Sequence, residues 1–441
     1  MRILMFILCI ICALNLYSTI INIPADYPTI QDGINAAEIN DTVYVAAGIY
    51  YENLFWPGVN GIKLIGSGQD DCFINGNSSG SVISFDEING IIDSTTIITD
   101  LTITNGAAYC GGGIYSYYAS PGLRDITVTA NSASMDGGGL YCFNYSHFVI
   151  DNVTISENTA ASEGGGINCD FTSSLLIQNC RIINNTANYS GGGICIEGGS
   201  SPEISYTLIA GNTAEYGGGI WSGEKGACDL VNCTVTDNSA SEQGGGYFSY
   251  YPTLDVTNCI FWDNSPDQIY EDASVTYSDI QGNWTGPGNL DSDPLFVDAE
   301  NGDYHLTINS PCIDAGNPVS PFDPDNTIAD MGAFYFDQNT GIENQFLSGT
   351  HFSLSNYPNP FNPVTTISFS ITDDSQVILA VYNIKGQEVK TLTNELLSKG
   401  THTVIWRGLD NNNNKVSSGI YLYKLNINGI TCSIKKCTML K

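Results

Sequence analysis

Residues 185–196 read Asn-Thr-Ala-Asn-Tyr-Ser-Gly-Gly-Gly-Ile-Cys-Ile, and this stretch decides the fold because it recurs. Gly-Gly-Gly triplets begin at Gly111, Gly137, Gly164, Gly191, Gly217 and Gly244, in steps of 26, 27, 27, 26 and 27 residues. An asparagine column keeps phase with them at Asn131, Asn158, Asn185, Asn212, Asn238 and Asn264. Two markers in phase over six copies indicate a repeat architecture. Within the copies lie short alternating runs rich in β-branched residues, such as Ile126-Thr-Val-Thr, Val153-Thr-Ile-Ser and Cys233-Thr-Val-Thr. These are strands, and another short strand follows each triplet, as in Ile114-Tyr-Ser-Tyr and Ile220-Trp-Ser. No copy has room for a long helix. A unit this small cannot bury its own apolar face, so neighbouring units must stack. The expected fold is all-β, a parallel β-solenoid with coils ~4.8 Å apart, so six coils span roughly 29 Å.

Both markers have a backbone role in such a stack. Three glycines allow positive φ and close packing at a corner. The asparagines can hydrogen-bond from coil to coil and satisfy the polar groups of the turns. The triplets lack the following Asp of a calcium-binding nonapeptide and precede no helix, which excludes a phosphate loop.

Working outward, residues 23–37 form a short amphipathic segment with Ile30, Ile34 and Ala37 on one face, expected to be a helix that caps the open end of the stack. The opposite end is expected within 290–336. The first residues read as a signal peptide over 1–18: Arg2, an apolar Ile3–Leu16 run, then Tyr17-Ser18. The run is too short for a comfortable membrane span, so no transmembrane segment is expected in the mature protein.

Charge is unevenly distributed. Residues 351–441 hold nine of the 14 basic residues against five acidic ones, whereas 1–350 hold five basic and 41 acidic residues. That asymmetry marks a boundary, and the acidic part would repel nucleic acid and anionic lipid. Export permits disulfides. Yet Cys180, Cys233 and Cys259 share one register of the repeat, as do Cys142 and Cys169, so buried free thiols are expected.

The opening of the solenoid resembles that of pectin-lyase-like right-handed β-helix proteins. The Gly-Gly-Gly-Ile units, with apolar-x-x-Asn units such as Phe261-Trp-Asp-Asn, resemble the paired repeats of polymorphic outer-membrane proteins. The resemblance covers roughly 22–336 and implies a right-handed parallel β-helix, placed at 19–336 with its N-terminal cap. A linker is expected over 337–350. Beyond it, Thr366-Ile-Ser-Phe-Ser-Ile, Val377-Ile-Leu-Ala-Val-Tyr and Ile420-Tyr-Leu-Tyr-Lys-Leu alternate like strands of a small immunoglobulin-like β-sandwich over 351–441. Tyr357-Pro-Asn-Pro-Phe-Asn-Pro, Lys385-Gly-Gln-Glu-Val, Ser418-Gly-Ile-Tyr and the basic Lys435-Lys436 resemble the C-terminal sorting domain of the type IX secretion system. That resemblance implies engagement of outer-membrane secretion machinery through 351–441 and delivery across both membranes of a Gram-negative bacterium, to the surface or the medium.

Strand alternation after each triplet points to a site. With Ile114, Leu140, Ile167, Ile194 and Ile220 inward, one outward column is Tyr115, Tyr141, Asn168, Cys195, Trp221 and Phe248. A second is Tyr117, Phe143, Asp170, Glu197, Gly223 and Tyr250. The expectation is a strip aromatic at both ends and acidic in the middle, suited to sugar rings, with Tyr115, Tyr117, Tyr141, Phe143, Trp221, Phe248 and Tyr250 as ligand-binding residues. Asp170 and Glu197 share a register one coil apart; carboxylates at ~5 Å would suit a retaining glycosidase, and a calcium ion is the alternative use of the pair. Otherwise no cofactor and no metal site is expected. The mature solenoid has only Lys63, Arg124, Arg181 and Lys225 as strong bases, which does not provide a lyase cluster. His147 and His305 are far apart in register, which excludes a Ser-His-Asp or zinc-histidine arrangement. The sequence therefore reads as a non-enzymatic adhesion or glycan-binding β-helix. A polysaccharide hydrolase or lyase is the alternative.

Overall fold

The computed structural model describes residues 18–338 and 354–439, apart from 87–91, 224, 252–253, 272, 372–373, 384, 386, 413 and 428–429. The expected signal peptide, all but its last residue, and most of the expected linker lie outside the described residues. The chain divides into two compact units at Asp337/Gln338.

The first unit is a parallel β-helix. Each full coil contributes to four sheets, whereas the sequence pattern showed two strands per repeat. The coil from 122 to 143 is representative. Gly122–Arg124 enters an eleven-stranded sheet, Thr127–Thr129 a ten-stranded sheet, Ser132–Ala133 a six-stranded sheet and Leu140–Phe143 a nine-stranded sheet. The strands of the coils pair in parallel with their equivalents in adjacent coils, as Leu140 does with Ile114 and Ile167, and only Phe296–Asp298 with Asp303–Leu306 is antiparallel among the described strands of this unit. The inward positions form one continuous core of Ile, Val and Leu, including Leu123, Val128, Ile150, Ile177 and Ile209.

The corners follow from backbone chemistry. The chain leaves the eleven-stranded sheet through a left-handed residue, Asp125, Asn152 or Asn179 in successive coils. Asn and Asp tolerate that region better than other side chains. The next corner again uses a left-handed residue, followed by the asparagine column. Each column member donates from Nδ2 to Oδ1 of the next: Asn158 to Asn185 at 3.0 Å, Asn185 to Asn212 at 3.0 Å and Asn212 to Asn238 at 2.9 Å. The backbone N–H of each donates to the same oxygen. All are buried. The first glycine of each triplet has φ between +62° and +67°. A Cβ on the second would meet backbone: at Gly192 it would lie 2.5 Å from the carbonyl oxygens of Gly218 and Thr213.

The N-terminal helix is Ile30–Ala36, capped by Thr29, whose side chain accepts from the Asp32 N–H; Ile30 and Ile34 are buried. Residues 290–337, expected to close the opposite end, instead run back along the outer face of the ten-stranded sheet: Leu306, Cys312 and Met331 cluster with Ile260, Tyr304 donates to Asp237 at 2.7 Å, and Arg181 donates to Gly302 O at 3.3 Å. Among the described residues the cysteines are free thiols, including Cys142, Cys169, Cys180, Cys233 and Cys259, as their shared registers imply. The second unit is a seven-stranded sandwich of a three-stranded and a four-stranded antiparallel sheet, closed over Trp406, Phe369, Tyr423 and Leu425.

Candidate functional site: a trough between two sheets

The residue before each triplet and the strand after it come together. They sit where the six-stranded sheet turns into the nine-stranded sheet, and the outward side chains of the latter point into the angle between them. At the N-terminal end this angle is a trough of about 870 Å3, with Tyr115, Tyr141 and Phe143 on one wall and Ala107, Ala108 and Ser132 on the other. Tyr115 stacks on Tyr141 at 5.8 Å, Tyr117 on Phe143 at 5.7 Å and Tyr141 on Phe143 at 5.8 Å. Phe171 meets Phe143 edge-on at 4.9 Å. These contacts place four of the expected ligand-binding residues, Tyr115, Tyr117, Tyr141 and Phe143, on one continuous surface.

The other end corrects the expectation of an open strip. Trp221 and Phe248 are only 7% and 1% exposed. They form a small apolar cluster with Cys195, against which Tyr216 and Tyr270 pack. Their side chains do point away from the helix core, but the neighbouring sheet folds over them, so outward is not the same as solvent-facing. Tyr250 stays exposed, edge-on to Phe248 at 5.0 Å.

The centre is acidic, and more so than the two outward columns alone indicate. Asp170 and Glu197 lie on the nine-stranded wall as expected; Asp170 uses one carboxylate oxygen to accept from the Phe171 N–H at 2.7 Å. Two further carboxylates, Asp136 and Glu163, come from the positions directly before triplets. Glu163 and Glu197 bring carboxylate oxygens within 4.8 Å of each other, and the Cys195 thiol points at Glu163 Oε2 at 3.8 Å. Burial, then the facing Glu163, pushes Glu197 up to about 8. Burial also raises Glu163, Asp136 and Asp170. Near neutral pH the Glu163–Glu197 pair therefore holds one proton between its two carboxyls. With carboxylate oxygens within 4.8 Å, the pair sits at the short end of the roughly 5–9.5 Å separations used by glycosidases.

Asn168 and Ser190 flank the pair. Both are buried, and Asn168 Oδ1 and Ser190 Oγ have no hydrogen-bond partner. The lining of the trough contains no Lys or Arg.

A family model for the right-handed β-helix region matches residues 47–212 and 165–285. The chain belongs to the right-handed β-helix family. A model for the FlgD Ig-like domain matches 359–429, in the sandwich. No curated protein matches the sequence. Among solved structures, pectate lyase Pel9A is 13% identical over 73% of this chain and 97% of its own, with a TM-score of 0.45. A pectin methylesterase from Aspergillus niger is 14% identical over 70% of this chain and 93% of its own, with a TM-score of 0.35. Likenesses this distant say nothing about activity.

Proposed function

We propose that this right-handed β-helix is an exported protein that binds a polysaccharide in the trough between its nine- and six-stranded sheets. The observation that carries the reading is the run of ring contacts from Tyr115 through Tyr141 and Phe143 to Phe171, leading into the carboxylates. Aromatic faces stack on the apolar faces of pyranose rings, and carboxylates accept from sugar hydroxyls. The volume of about 870 Å3 lies within the range of roughly 300–1,000 Å3 typical of ligand pockets. The trough itself is lined by no charged side chain, and Asp136 and Asp170 of the acidic group act on Tyr141 in its wall, an arrangement that favours neutral or amino-sugar chains and disfavours polyuronates.

The test is retention of the full chain on immobilised polysaccharides. Neutral glucans, xylans or chitosan should retard it more than polygalacturonate, and equal indifference to all of them would defeat the proposal.

One observation favours a second reading, hydrolysis of the bound chain: the Glu163–Glu197 pair keeps one proton near neutral pH, as a general acid must. Release of reducing ends that stops in Glu197→Gln would establish it. Elimination has less support, because the lining offers no Lys or Arg as base.

Delivery belongs to the same proposal. The motif set from Tyr357 to Lys436 and the local excess of positive charge support passage to the surface or medium through 351–441. Deleting 351–441 should leave the protein in the periplasm of its Gram-negative producer; undisturbed surface delivery would defeat that part.

A further inference from the structure

We infer that Glu163, Cys195 and Glu197, completed by Asn168, form a binding site for one divalent cation of the zinc class at the centre of the trough. Their ligand atoms lie within 4.8 Å of one another, close enough to converge on a single ion. Glu163 comes from the position before a triplet. Cys195 and Glu197 stand two residues apart just after the next triplet, so strand alternation aims both at Glu163.

The observation that separates this group from an ordinary acidic patch is the pair of orphaned atoms around it. Asn168 is paired with Cys195 in the adjacent coil and points out of the same wall. Ser190 bridges to Glu163 in the adjacent coil. Asn168 is 1% exposed and Ser190 fully buried, yet Asn168 Oδ1 and Ser190 Oγ have no partner. Buried polar atoms are rarely left unpaired, and each orphan is costly. A cation gives the amide oxygen a partner and leaves the hydroxyl placed to hold a carboxylate beside it.

Donor chemistry selects the class. One sulfur with two carboxylates and one amide oxygen is a borderline, four-donor set. Calcium and magnesium take oxygen donors only and would leave the thiol unused. The inference does not depend on glycan binding, since the ion can be measured without any sugar.

The experiment uses the full chain, reduced, stripped with chelator and titrated with Co2+. The expected result is one ion per chain with a thiolate-to-cobalt charge-transfer band, displaced by one equivalent of Zn2+ and unaffected by millimolar Ca2+. Cys195→Ala should abolish the band, whereas Cys142→Ala, a buried thiol on the inward side of the same sheet, should keep it. Glu197→Gln, at a half-buried position, should weaken binding by at least about 100-fold and serves if Cys195→Ala does not fold. No stoichiometric binding, a band that survives Cys195→Ala, or tight Ca2+ binding without thiolate absorption would each overturn the inference.

Discussion

Replacing Asn212 by Ala removes one rung of the asparagine ladder, and the structure allows its cost to be worked out. Asn212 Oδ1 accepts from the backbone N–H of Asn185 at 2.9 Å and from its Nδ2 at 3.0 Å. Asn212 Nδ2 donates to Ile182 O at 2.8 Å and to Asn238 Oδ1 at 2.9 Å. The alanine variant therefore loses four hydrogen bonds. Asn185 Nδ2 keeps Ile155 O, and Asn238 Oδ1 keeps the Asn212 N–H. The Asn185 N–H and the second site on Ile182 O are left without those partners inside the stack. At roughly 1–3 kcal/mol for each buried group left unsatisfied, the expected loss is about 3–5 kcal/mol. That is a large part of the ~5–15 kcal/mol stability of a typical domain. Urea unfolding of the full chain by far-UV circular dichroism should show the drop. Hydrogen exchange should show the Asn185 amide losing protection before amides several coils away, because stacked repeats support only their neighbours. The exposed Asn188→Ala is the control, within about 0.5 kcal/mol of wild type. A loss for Asn212→Ala below about 1 kcal/mol, or equal to the control, would refute the assignment of the ladder as a structural column.

Three shorter predictions follow from the corners and the trough. Gly192→Ala drives a Cβ to 2.5 Å from two backbone oxygens and should cost more than about 3 kcal/mol, read as lost soluble yield or a collapsed melting temperature. Gly199→Ala, at φ +78° with open space around it, should cost only about 1–2 kcal/mol of backbone strain. In chelator, the melting temperature of the solenoid should fall from about pH 4.5 to about pH 8 and then level off. The Glu197 carboxyl is raised in the folded state, so its contribution is complete below the ordinary carboxyl range and is lost as pH rises through about 8; Glu197→Gln should flatten the profile.

The six triplet-bearing coils, the glycine corners, the asparagine ladder and the free thiols were legible from the phase of the repeat, and the N-terminal helix from its apolar face; the further coils of the eleven-stranded sheet lack the triplet and were not. Nor were half of the strands. Val149–Asp151 and its equivalents are three residues long between left-handed corners, too short for alternation to register. Glu163 and Asp136 stand directly before a triplet, outside the strand whose alternation defines the outward columns. Aligning the residue before each triplet would have exposed the column Cys110, Asp136, Glu163, Ser190, Tyr216 and Gln243. Trp221 and Phe248 show the limit of alternation as a guide. It gives the side of the wall on which a residue lies, but not what another sheet lays over that side.

The central claim, that the N-terminal half of the trough is the sugar-binding surface, is tested most directly by calorimetric titration of the full chain with an oligosaccharide of whichever polysaccharide retains it. Tyr141→Ala and Phe143→Ala should each weaken binding about 5- to 30-fold, each removing a stacking partner worth roughly 1–2 kcal/mol. Trp221→Ala should lower stability and leave the affinity of the folded protein unchanged. Wild-type affinity in a folded Tyr141→Ala, Phe143→Ala double variant, or a loss confined to Trp221→Ala, would contradict the account.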